Sequence, residues 1–196
     1  ELRDEPLVHA DGVTHDYSLH FVFGMRNPIG SNARVTVRTT GRGPRDLTLG
    51  PGRIYSSPSL DDEFVASESP ALTDRYSRFE WSVELAPGET RYWSNTLWRP
   101  YPLVSTAFPR LAENAGLTAY VYGESIEGRE VVAYHSPDLA EDTTRANILI
   151  TSGFHPVEGD TLGTEAIFEW MAGEGKSALD RYNVVVVPVA NPAGFA

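Results

Sequence analysis

The sequence predicts two segments of different class: an all-β antiparallel sandwich over residues 1–98, then an α/β domain with a mixed sheet over residues 101–196. Three observations predict this. Runs of strict apolar/polar alternation fill the first segment and end near Trp98. The two strongest strand candidates of the second segment are instead almost continuously apolar, the mark of a strand covered on both faces. A helical stretch lies between those two, and strand, helix, strand is the βαβ order of an α/β sheet.

In the first segment, Tyr17–Phe23, Ala33–Thr39, Phe79–Leu85 and Thr90–Trp98 alternate with period two. Turn-forming stretches separate them: Asn27-Pro28, Gly41 to Pro44, Gly50-Pro51-Gly52 and Pro87-Gly88. Short alternating strands punctuated in this way predict an antiparallel sandwich. Residues 57–76 are polar and predict one long loop. The aromatics Tyr92, Trp93, Trp98 and Tyr101 read as packing residues, because large rings dominate buried contacts.

From Pro102 to Ala115 the spacing predicts a helix with Leu103, Ala107 and Leu111 on one face and Gly116 as its stop. Leu117–Tyr122 and Glu130–His135 are strands joined by a Gly-containing turn. Ala146–Ser152 is an apolar strand, a helix follows from about Thr161 to Gly173, and Asn183–Pro188 is the second apolar strand.

Composition excludes several functions. The net charge of −11 argues against a nucleic-acid surface, which is basic. The charge is uneven: residues 1–100 hold 14 acidic and 11 basic side chains, residues 101–196 hold 13 and 5. There is no cysteine, so disulfides and thiolate metal sites are excluded. No apolar run approaches the roughly 18 residues that span a bilayer, which predicts no membrane role. The segment Glu1–Glu5 has no basic region leading into an apolar core, so no signal peptide is visible.

Function in an open α/β sheet gathers just past the carboxyl ends of the strands. There the first apolar strand runs into Gly153-Phe154-His155-Pro156-Val157-Glu158, and the second into Ala190-Asn191-Pro192-Ala193-Gly194-Phe195. His155 and Glu158, three residues apart, can aim an imidazole nitrogen and a carboxylate oxygen at one point, and this pair is two-thirds of a catalytic zinc shell. The spacing alone favours a second reading: a carboxylate stabilised at a helix N-terminus beside an ordinary loop histidine.

The order of landmarks resembles the zinc carboxypeptidase (funnelin) family. Gly123-Glu-Ser125-Ile-Glu127-Gly128-Arg129, an apolar strand, His155-Pro-Val-Glu158, a helix, a second apolar strand and Asn191-Pro192-Ala193-Gly194 follow in that family's register over about 75 residues. The His-Pro-x-Glu form behind a β-rich module looks most like the cytosolic carboxypeptidase subgroup, implying a cytoplasmic location. The resemblance implies that His155 and Glu158 are the first two ligands of one Zn²⁺. It places Arg129 beside the substrate-binding site, although a surface ion pair fits that residue as well. It also implies that residues 101–196 are the first half of a catalytic domain. The family's third ligand, general base and Asn-Arg carboxylate clamp all come after the Asn-Pro-x-Gly loop, so the mixed sheet and the site are expected to be incomplete here and this chain alone inactive.

The expected activity is removal of C-terminal amino acids from peptides or proteins. The expected partners are the C-terminus of a peptide or protein substrate and, against strand 146–152, the remainder of the catalytic domain or another chain. Ala193 stands where most of the family has Asp. That departure keeps open a zinc amidohydrolase of the aspartoacylase or succinylglutamate desuccinylase type, and a non-catalytic binding module on the same fold is the third reading.

Overall fold

The computed structural model describes residues 7–8, 14–15, 21–38, 53–68, 71–73, 78–137, 139, 144–155 and 159–195. The chain divides into two compact units, Glu1–Trp98 and Arg99–Ala196.

The first unit is built from β1 (Leu7–Val8), β2 (Thr14–His15), β3 (Val22–Arg26), β4 (Ala33–Arg38), β5 (Ile54–Ser57), β6 (Val65–Glu68), β7 (Ala71–Thr73), β8 (Arg78–Leu85) and β9 (Thr90–Ser94). All pairings are antiparallel: β1 with β2, a four-stranded sheet in the order β3-β9-β5-β6, and a three-stranded sheet in the order β4-β8-β7. Successive side chains of a strand point to opposite faces, and on β8 Trp81, Val83 and Leu85 point inward while Ser82 and Glu84 face out. Trp93 and Ile54, both wholly buried, join them, and Phe21 stacks on Trp81 at 5.9 Å. Asn27 closes one corner, its amide donating to the carbonyls of Ser31, Leu85 and Ala86.

The 57–76 stretch is not one long loop. It carries β6 and β7, whose ladders are main-chain pairings that leave no apolar period to read. Of the predicted strand Tyr17–Phe23, residues 17–20 lie outside the described residues.

The second unit holds α1 (Tyr101–Asn114), β10 (Thr118–Glu124), β11 (Glu130–His135), β12 (Ala146–Thr151), α2 (Asp160–Ala172) and β13 (Tyr182–Val187). Its sheet runs β10-β11-β13-β12; β12 and β13 are parallel and the other pairs antiparallel, a mixed sheet. Both helices cover one face, where Tyr134, Val184 and Val186 meet Phe108, Phe168 and Met171. Phe108 and Phe168 are at most 2% exposed, and each such burial stabilises by roughly 1.5–3 kcal/mol. Val131, Ala133 and Val187, one residue out of phase, cluster on the opposite face.

The buried row of α1 is Val104, Phe108 and Ala112, one position on from the predicted Leu103, Ala107 and Leu111. Two apolar i, i+4 rows lie side by side on this helix, and the row with the phenylalanine ring turns inward because it removes more apolar area from water. On β12, Ile150 packs into the core while Ile148 and Leu149 are 38% and 67% exposed. Among the described residues β12 is hydrogen-bonded to β13 alone.

Candidate metal site

The carboxyl ends of β12 and β13 are stitched together, and the stitching fixes the start of the loop that carries His155. The Ser152 amide donates to the Val187 carbonyl, and the Ala190 and Asn191 amides donate to the carbonyls of Ser152 and Gly153, each at 2.9 Å. The Asn191 side-chain amide donates to the Phe154 carbonyl at 3.1 Å. The buried Ser152 hydroxyl donates to the Pro188 carbonyl and receives the Thr164 hydroxyl proton from α2, both at 2.7 Å. Asp160, the first residue of α2, accepts from the Gly153 amide at 2.7 Å. Gly153 itself is left-handed (φ +67°), and a Cβ there would sit 2.7 Å from the Pro188 oxygen and the Val189 Cα. Both backbone conformation and close approach demand glycine.

His155 follows two residues later, exposed, past the carboxyl end of the parallel strand β12. Glu158 lies outside the described residues. Among the described residues no group of three His, Cys, Asp or Glu side chains converges. Of the two expected ligands, His155 is therefore the one that falls among the described residues, and a neutral imidazole at a strand end suits zinc. His135, on β11, has its Nδ1 2.7 Å from its neighbour Ser136's carbonyl oxygen.

Arg129 comes from the β10–β11 hairpin. The turn is closed by the Gly128 amide donating to the Ser125 carbonyl, with Gly128 at φ +78°, and the Arg129 amide donates to the Ser125 hydroxyl. The turn therefore depends on Ser125, Gly128 and Arg129 at that spacing. The Arg129 guanidinium donates to the Pro192 carbonyl at 2.8 Å and lies 4.8 Å from the centre of the Tyr101 ring. This bond ties the hairpin to the Asn191 loop. Asn191 closes the short 3-10 turn Pro192–Phe195, accepting from the Gly194 amide through both its carbonyl and its side chain. Ala193 is half-buried in that turn.

Sequence reasoning missed Thr164, Ser152 and Asp160, the side chains that hold the loop from behind. Asp160 carried a signal: an acidic residue opening a helix, although here it serves the preceding strand end rather than its own helix.

This chain is similar to several solved structures. A metallo-carboxypeptidase from Burkholderia cenocepacia superposes with a TM-score of 0.64 at 16% identity, over 89% of this chain and 47% of that one. A metallo-carboxypeptidase from Pseudomonas aeruginosa, in complex with (2-guanidinoethylmercapto)succinic acid, gives 0.66 at 13% over 89% and 46%. A carboxypeptidase A candidate from Shewanella denitrificans gives 0.67 at 19% over 89% and 46%. The fold is that of metallo-carboxypeptidases. The chain spans a little under half the length of these metallo-carboxypeptidase chains. No family model and no curated protein matches the sequence.

Proposed function

We propose that residues 1–196 belong to a zinc metallocarboxypeptidase that removes C-terminal residues from peptides or proteins, of the cytosolic carboxypeptidase type. The observation that carries this reading is the position of His155. It follows the carboxyl end of a parallel strand, on a loop bonded to the Asn191 turn, within a fold shared with metallo-carboxypeptidases.

In this reading His155 and Glu158 hold one Zn²⁺, with further donors from outside residues 1–196. When bound, the ion polarises the scissile carbonyl and lowers the pKa of a coordinated water. The rest of this half-site acts by position. Ser152, Thr164 and Asp160 hold the strand end before His155, and Arg129 fixes the Asn191 turn on the substrate side. The remainder of the catalytic domain covers β12, whose outer edge has no partner among the described residues and whose Leu149 is exposed.

The experiment is zinc calorimetry beside a hydrolysis assay on peptides varied at the C-terminus, using the full-length protein and residues 1–196 alone. The full-length protein should bind one zinc per chain and release C-terminal residues, and His155→Ala should abolish both. Residues 1–196 alone should bind zinc weakly and turn nothing over. Tight stoichiometric zinc that survives His155→Ala would overturn the ligand assignment. Release of acyl groups from small N-acylated amino acids, with peptides untouched, would establish the amidohydrolase reading that Ala193 keeps open.

A further inference from the structure

A cavity of about 180 Å³ opens between α1, β11 and the carboxyl end of β13. Val104, Phe108, Val132 and Val189 give it apolar walls, and Tyr101 and Tyr134 supply two phenols. The ring of Tyr134 stands edge-on to Phe168 at 5.7 Å, and Phe168 packs on Phe108 at 5.8 Å, so the two lining rings share one aromatic neighbour. An apolar cavity of about 150 Å³ is enough to bind benzene. The volume here thus matches one six-membered ring with one or two further atoms.

The polar groups are few and placed differently from the walls. Tyr134 is 4% exposed, yet its hydroxyl makes no hydrogen bond among the described residues. That hydroxyl is not one of the sealed, partnerless polar atoms of the core, and a phenol that lines a cavity can donate to an occupant there. Burial first, and Tyr101 second, push the Tyr134 phenol up to about 12, so at neutral pH it can donate a proton but carries no charge. At the mouth stand the half-exposed Ser105 and the carboxylate of Glu130. Pro109, one turn beyond Ser105 in α1, has no N–H to give the Ser105 carbonyl, which leaves that oxygen without its usual helical donor. A donor within and acceptors at the rim suit one group above all others, a hydroxyl, which both accepts and donates.

We propose that this cavity is a binding site for a small monocyclic aromatic alcohol, its ring against Phe108, Val132 and Val189 and its oxygen accepting from Tyr134. Its described lining does not include His155, and its occupancy does not depend on zinc. Its occupant touches Val189 at the root of the Asn191 turn and Tyr101 beneath Arg129, so occupancy stiffens the ground on which that turn stands.

The test titrates benzyl alcohol and toluene into the full-length protein and follows backbone amide and methyl resonances by NMR. Benzyl alcohol should shift Val104, Val132 and Val189 saturably, and more tightly than toluene. Tyr134→Phe removes the donor and keeps the ring, so benzyl alcohol should weaken about fivefold while toluene is unchanged. Ser105→Trp, on the half-exposed rim of α1, should close the mouth and abolish both titrations even if Tyr134→Phe fails to fold. Shifts that never saturate, equal binding of the two probes, or undiminished binding in a folded Ser105→Trp protein would each overturn the proposal.

Discussion

Thr164 on α2 gives its hydroxyl proton to Ser152 at the end of β12, and Ser152 passes its own to the carbonyl of Pro188 beyond β13. One two-step chain therefore joins helix, strand and strand behind the loop of His155. Both residues are at most 4% exposed, so the bonds are not traded for water. Ser152→Ala strands two partners and Thr164→Val none, because Ser152 can still reach Pro188. Urea unfolding should show Ser152→Ala costing about 2 kcal/mol and Thr164→Val about 1 kcal/mol. The double variant should be little worse than Ser152→Ala alone, since the two side chains share one chain of bonds.

Two glycines ten residues apart should respond to the same substitution with opposite sign. Gly153→Ala meets a left-handed backbone and two backbone atoms at 2.7 Å, and should cost at least about 2 kcal/mol. Gly163, in the interior of α2, has nothing within 4 Å of an added Cβ. Gly163→Ala should stabilise by about 0.5–1 kcal/mol through helix propensity. Thermal melts of the two variants check the pair.

Arg129 should behave as a structural tie whose loss is felt at the Asn191 turn. Arg129→Ala loses a charged hydrogen bond to Pro192 and the contact over Tyr101, together about 2 kcal/mol. Arg129→Lys should recover less than half, because an ammonium cannot serve the carbonyl and lie flat on the ring at once. Hydrogen exchange at the Gly194 amide, bonded within that turn, should speed up in both variants and most in Arg129→Ala.

Alkaline pH should reveal Tyr134. Its folded-state value, about 12, lies above the ordinary 10.0, so the folded protein keeps a proton that the unfolded chain gives up. The contribution is complete below pH 10 and is lost as pH rises from there to about 12. Stability measured by circular dichroism should fall across that window, and the fall should be shallower in Tyr134→Phe. An equal slope in both proteins would show that other groups govern alkaline unfolding.

What the sequence made legible follows from what has a period. Alternation exposed β8, and unbroken valines exposed β13, because burial on one face or on both writes itself along a strand. Two apolar rows on α1 left its inward face ambiguous by one residue, and only packing against Phe168 and Tyr134 selects Phe108. Val65–Glu68 and Ala71–Thr73 form ladders through main-chain groups, which any residue type supplies, so they read as loop. At the candidate site, residue types and spacing singled out His155 and Glu158, and the family resemblance added Arg129. The bonds that seat the His155 loop and Arg129, from Thr164 to Ser152, Asp160 to Gly153 and Arg129 to Pro192, join positions 7 to 63 apart and follow no spacing rule.

The strand order β10-β11-β13-β12 puts the last strand of the unit into its middle. β11 and β12 are made first and cannot meet, because the slot between them is reserved for a strand whose first residue is Tyr182. During synthesis on the ribosome β11 therefore waits with one side open and β12 with both, Ile148 and Leu149 among the waiting residues. The hairpin of β10 and β11 can close at once, but the sheet becomes a single body only when Val187 has cleared the exit tunnel. Assembly at this site is thus gated by translation itself: a pause in the codons just before Tyr182 would prolong the interval in which two sticky edges lie bare to chaperones and to each other.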